Sequence, residues 1–167
     1  MPKEPLKVHY TKSVPNIRRA ISVKGKYHNP ESIIRYGFIG GTTAQRLHVR
    51  NGVNKIKAET PGLKIFEVTS NADVRISFDS RIGSWSYVGT DIFLIPKNQP
   101  TMNLGWQEAS HRVVMHEWGH TLNLVHEHMR GLNWDKPKVY AHFAQIGWNK
   151  SDVDHNLLNF DEHDHDA

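Results

Sequence analysis

Apolar positions along the chain fall in short runs with clear punctuation between them. Ser32 to Ile39 (SIIRYGFI) is dense in β-branched and aromatic residues and reads as a strand, closed by Gly40-Gly41. Thr42 or Thr43 can cap a helix from Ala44 to about Ala58, with Leu47, Val53 and Ile56 near one face. Pro61-Gly62 stops that helix. Leu63 to Thr69 and Val74 to Phe78 alternate with period two and read as strands, with a turn at Asn71 to Asp73. Short extended pieces are expected at Trp85 to Val88, Asp91 to Ile95 and Met102 to Leu104, and a lone early strand at Ala20 to Val23. Glu108 to about Asn123 is the clearest later helix. Val114, Trp118 and Leu122 form one stripe, and Glu108 can pair with Arg112. Lys136 to Phe143 and Ser151 to Phe160 read as shorter helices. Strand, helix, strand, strand is the start of a mixed α/β domain.

Composition narrows the picture. A length of 167 residues suits one domain, and 38% hydrophobic with 23% charged residues is ordinary for a globular chain. No apolar run approaches the ~18 residues of a membrane span, so no membrane partner is expected. Cysteine is absent, which excludes disulfides, thiolate metal sites and a cysteine nucleophile. The net charge of +4 is too mild to imply nucleic acid, and no nucleic-acid partner is expected. Its excess sits early, in Lys3, Lys7, Lys12, Arg18, Arg19, Lys24 and Lys26. Residues 1–19 therefore read as a flexible basic lead-in, 20–160 as the folded domain, and 161–167 as a frayed acidic and histidine-bearing tail. Met1 to Tyr10 lacks the apolar core of a secretory signal.

Histidine is the informative count: twelve in all, six of them between His111 and His142. His116-Glu117-Trp118-Gly119-His120 is an H-E-x-x-H pattern on an expected helix. Four residues advance a helix by ~400° and ~6 Å, so both imidazoles project from one side, one turn apart. One zinc ion can bridge them, and Glu117 beside them is placed to act as a general base rather than a ligand. A third ligand is needed. On a continued helix His126 would lie ~240° around from His120, out of reach. Asn123, midway, is the best non-glycine residue for the left-handed turn that ends a helix and swings the chain back. The set is then H-E-x-x-H-x-x-N-x-x-H. His128 is expected near the site but not in it, His111 on another face, and Glu162 is the alternative third ligand. With three neutral imidazoles, a bound water becomes acidic near neutral pH. Glu117 would take its proton as the water attacks a polarised carbonyl, then pass it to the leaving amine.

The string RVVMHEWGHTLNLVHEH resembles the zinc signature of the metzincin metallopeptidases, and Glu127 directly after His126 brings it closest to the astacin-like branch. Ala72 to Asp79, Ser84 to Asp91 and Thr101 to Trp106 resemble successive sheet strands of secreted, disulfide-poor microbial members. The resemblance implies an α/β (α+β) zincin-like fold: a mixed twisted sheet and two long helices, the second carrying the zinc motif. It implies one Zn2+ per chain, a monomer, an extracellular location, and endopeptidase action on extended polypeptide. It further implies that Ser84, Trp85, Ser86, Tyr87, Val88 and Gly89 form a sheet edge where substrate adds as an extra strand. Family members carry a methionine-containing turn well after the third histidine. Met129 falls too early for it, so the C-terminal subdomain is expected to be incomplete, the chain ending before that turn. The alternative function is a zinc-binding module with impaired or absent catalysis.

Overall fold

The computed structural model describes residues 7–9, 21–105, 111–125, 135–145, 147–154 and 165–166. Its main layer is a six-stranded mixed sheet. In chain order the strands are β1 (Lys7–His9), β3 (Ile34–Phe38), β4 (Ile65–Glu67), β5 (Val74–Ser77), β6 (Ser84–Tyr87) and β7 (Met102–Leu104). In space the order is β1-β6-β7-β5-β3-β4. β4, β3, β5 and β7 run parallel to one another, whereas β6 is antiparallel to both β7 and β1. A second, three-stranded sheet sets β2 (Ile21–Val23) between β8 (Leu124–Val125) and β9 (His165–Asp166).

Two helices cover the main sheet. α1 (Thr43–Glu59) begins at a full capping box: Thr42 Oγ1 accepts from the Gln45 N–H at 3.2 Å, and Gln45 Oε1 accepts from the Thr42 N–H at 2.7 Å. It buries Val49, Gly52, Val53 and Ile56. Leu47, expected on that face, is exposed, because the buried stripe is centred on Val49 and Val53, two residues further round the helix. α2 (His111–Thr121) packs on α1 and β6 and buries Val114 and Trp118 completely or nearly so. At the crossing, a Cβ on Gly52 would stand 2.5 Å from Val114 Cγ1, so only glycine lets the helices approach this closely. Trp118 meets Tyr36 edge-on at 5.7 Å, within a core that also holds Ile34, Val74, Ile76, Ile92 and Met102. Tyr36 donates to Glu67 at 3.2 Å, and Glu67 takes both arms of Arg50 from α1 at 2.7 Å. Burial first, then the Glu67 charge, pushes the Tyr36 hydroxyl up to about 12. α3 (Lys136–Ala144) starts at the Asp135 cap and is followed by α4 (Lys150–Val153). Among the described residues, no helix is long and apolar enough to cross a membrane.

Three expectations are corrected. Asp91 to Leu94, expected as extended together with Ile95, is instead part of a 3-10 helix, Gly89–Leu94, and Ile95 alone is extended. The Asp91 carboxylate bonds the Lys26 ammonium at 2.7 Å while the Thr90 N–H reaches the Lys26 carbonyl at 3.1 Å, and both bonds wind the segment inward. Gly89, at φ +53°, lies so near that carbonyl that a Cβ would collide with it. The lead-in and the tail also contribute strands: Lys7–His9 joins the main sheet, and His165–Asp166, expected to fray, pairs with β2. In both cases an otherwise unpaired strand flank supplies the partner groups. Helix residues 108–110 and 155–160, and the Glu108–Arg112 pair, lie outside the described residues.

Arg75 on β5 is a structural anchor that no pattern in the chain announced. Its guanidinium is buried and donates to the carbonyls of Gln99 (2.6 Å), Asp73 (3.1 Å), Ile95 (3.1 Å) and Pro96 (3.3 Å), tying the loop before β7 to the sheet. Arg75→Met leaves those buried acceptors without donors and is expected to lower stability by about 2–4 kcal/mol, read from the urea midpoint at constant m-value.

Candidate metal centre

Val114 and Trp118 anchor α2 in the core, and His116 and His120, each two residues further along, lie on the opposite helical face. The two Nε2 atoms stand 2.9 Å apart, with the rings edge-on at 88°. His120 Nδ1 lies 2.6 Å from the Leu124 carbonyl. A carbonyl only accepts, so Nδ1 carries the proton and Nε2 presents its lone pair. Burial, then the neighbouring His116, push the His120 pKa down to about 3, so the ring is neutral across the physiological range. Two imidazoles sharing a tetrahedral ion at ~2.0–2.1 Å would place their nitrogens ~3.3 Å apart. The observed spacing is within a few tenths of an ångström of that.

Glu117 is wholly buried, and neither of its carboxylate oxygens has a hydrogen-bond partner among the described residues. Burial without a partner raises its pKa well above the ordinary 4.5. A core carboxylate in this state is unfavourable unless a cation or a reacting proton engages it. A neutral His120 with its lone pair fixed, 2.9 Å from a second imidazole and beside a buried carboxylate with no partner among the described residues, fits a divalent cation better than a purely structural role.

The helix ends where the motif requires. Asn123 takes φ +77°, and its N–H bonds the His120 carbonyl at 2.9 Å, closing the last turn before the chain reverses into β8. His126, the expected third ligand, lies outside the described residues, as do Glu127, His128 and Glu162. Among the described residues, no group of three or more metal-ligating side chains comes together. His111 stacks flat on His48 of α1, with ring centroids at 4.5 Å, rather than lying free on the surface.

Ser84, Trp85 and Ser86 are buried in β6, Tyr87 is half-buried, and Val88 and Gly89 lead into the 3-10 helix. The Ser86 hydroxyl meets the Thr121 hydroxyl at 2.9 Å, fastening β6 to the end of α2. β1 pairs antiparallel with β6, Lys7 opposite Tyr87, Val8 opposite Ser86 and His9 opposite Trp85, so the flank that would receive another strand carries one from this chain.

A mixed sheet backed by a helix with the H-E-x-x-H pattern, its histidines one turn apart and its glutamate between them, defines a metallopeptidase. The chain belongs to the astacin family: the family model described as Astacin, a peptidase family, matches residues 22–166. Two solved structures are similar to it. "Structure of myroilysin" is 33% identical with a TM-score of 0.78, covering 88% of this chain and 77% of that one. "Crystal structure of myroilysin" is 32% identical with a TM-score of 0.63, covering 85% and 69%. No curated protein matches the chain. Astacin family peptidases are in general zinc-dependent.

The Glu117 geometry has a measurable consequence for the protein kept in chelator. Its raised pKa means the folded state favours the protonated acid. That stabilisation is whole below the ordinary 4.5 and is lost as pH rises through the folded value. Glu117→Gln should therefore raise the urea midpoint at pH 7, with the gain shrinking to nothing as the pH is lowered past 4.5. An unchanged or lower midpoint at pH 7 contradicts it.

Proposed function

We propose that the chain is a zinc endopeptidase in which His116, His120 and His126 hold one zinc ion and Glu117 is the general base. Residues 20–160 would form its catalytic domain, between a basic lead-in at 1–19 and an acidic, histidine-bearing tail at 161–167. The observation that carries this is the pairing of two Nε2 atoms at 2.9 Å with a buried carboxylate that has no partner among the described residues, on adjacent positions of one helix. Zinc, when bound, supplies Lewis acidity: it lowers the pKa of bound water to about 7 and polarises the scissile carbonyl. Glu117 accepts the proton of the attacking water and returns it to the departing amine. Its burial strengthens it as a base, since desolvation raises its affinity for the proton. His120 keeps one tautomer because its Nδ1 proton is held by the Leu124 carbonyl.

The substrate in this proposal is an extended polypeptide lying along Ser84, Trp85, Ser86, Tyr87, Val88 and Gly89, bonded through its main chain. A monomeric state and an extracellular location follow from the astacin-like signature and complete the proposal.

Metal analysis of the purified protein is expected to give about one zinc per chain, lost in His116→Ala and in His120→Ala. Glu117→Gln is expected to keep the zinc and lose at least a hundredfold in peptide cleavage. Zinc retention with no Glu117-dependent cleavage in any form of the chain would favour the binding-module alternative. A peptide adding along β6 must displace Lys7–His9. Deleting residues 1–19 is therefore expected to raise kcat/KM on an unstructured peptide several-fold, mainly through a lower KM.

A further inference from the structure

β8 runs antiparallel to β2, with Ile21 opposite Val125 and Ser22 opposite Leu124. The next rung of that ladder would pair Val23 with Asn123. The Asn123 backbone cannot make it, because its left-handed conformation and its N–H are committed to closing α2 on the His120 carbonyl. The side chain makes it instead. Asn123 Oδ1 accepts from the Val23 N–H at 3.2 Å, and Nδ2 donates to the Val23 carbonyl at 2.9 Å. A primary amide offers the same donor and acceptor as a peptide unit, so it can stand in for one. Both residues are buried, which shields the pair from water.

The substitute rung bears on the histidines through Leu124. That residue is held in β8 by Ser22 of β2, and its carbonyl fixes the His120 ring at 2.6 Å. The chain beyond β8 runs directly into position 126. The segment after β2 is fastened as well: His28 Nε2 donates to the Thr121 carbonyl at 2.8 Å, and Lys26 grips Asp91 and Thr90. Residues 21–28 thus form a strap across the exit of α2, and the Asn123 amide is its fastening to the turn between His120 and Leu124.

We propose that Asn123 is a positioning residue whose side-chain amide pins strand Ile21–Val23 across the end of α2, so that the Leu124 carbonyl holds the His120 ring in the alignment a metal ion needs. The inference rests on the ligand set proposed above. Glycine can adopt the same backbone turn but has no amide, so Asn123→Gly removes the rung while keeping the turn. Asn123→Asp keeps the acceptor for the Val23 N–H and loses the donor to its carbonyl.

The test uses the full chain loaded with zinc. Zinc release to a chromophoric chelator is timed, kcat and KM are measured on a quenched peptide, and melting is followed in the zinc-free protein. Asn123→Gly is expected to release zinc at least tenfold faster and to lower kcat with KM within twofold, and Asn123→Asp should fall between it and the wild type. Release and kcat within twofold of wild type in Asn123→Gly overturn the proposal. So does a lower melting temperature with no faster release, since that is a purely structural effect. A wild type that binds no zinc overturns the ligand set instead. The positioning role is then read directly on His120 by nitrogen-15 spectra. A slowly exchanging Nδ1 proton in wild type that is lost in Asn123→Gly supports the strap, and one retained in both sinks it.

Discussion

The contact between α1 and α2 at Gly52 and Val114 is the constraint on which the rest of the domain depends. Without a side chain at Gly52 the helices pack closely enough for Trp118 to be driven fully into the core against Tyr36. A helix anchored through Val114 and Trp118 has no freedom to roll. Its remaining face is then determined: residues one turn apart on that face, His116 and His120, must project together. The geometry of the two rings is in this sense a by-product of apolar packing on the other side of one helix.

The same packing explains how a carboxylate comes to be stranded in the interior. Glu117 lies between the anchored stripe and the histidine face, so the helix carries it inside with no donor to meet it among the described residues. Several other buried polar groups are well satisfied. Arg75 has several carbonyl acceptors, the Asn103 amide bonds Ser77, Asp79 and Gly83, and Asp91 has Lys26. Ser84 Oγ and Trp118 Nε1 also lack partners among the described residues, but a carboxylate is the costlier group to leave unmet, which marks Glu117 as a position shaped for chemistry rather than stability.

Much of this was legible along the chain because it is local. The helix period around Val114 and Trp118, the four-residue spacing of His116 and His120, and the breaker at Asn123 are all relations within one segment. So are the strands at Ile34–Phe38 and Val74–Ser77, where β-branched residues cluster. What stayed hidden depends on distant partners. Asp91 to Ile95 has the composition of a strand, yet a lysine 65 positions earlier winds Asp91 to Leu94 into a 3-10 helix. Leu47 fits an apolar helical face by spacing alone, but the neighbouring α2 selects the face centred on Val49 and Val53 instead. The strand Lys7–His9 carries no strong pattern of its own and forms because β6 offers an unpaired flank. Asn123 was readable as a turn former, whereas the use of its amide depends on Val23, 100 positions away.

That distance has a consequence for how the molecule comes into being. A chain synthesised from its N-terminus holds Ile21–Val23 with no mate until Leu124 and Val125 have been made. Closing so long a loop carries an entropic penalty that only the surrounding packing can offset. The exit of α2 is therefore among the last parts of the domain to be secured. A nascent or partly unfolded copy can have its histidine helix formed and still lack the fastening at the helix exit, so the alignment of the His120 ring is coupled to completion of the whole tertiary structure.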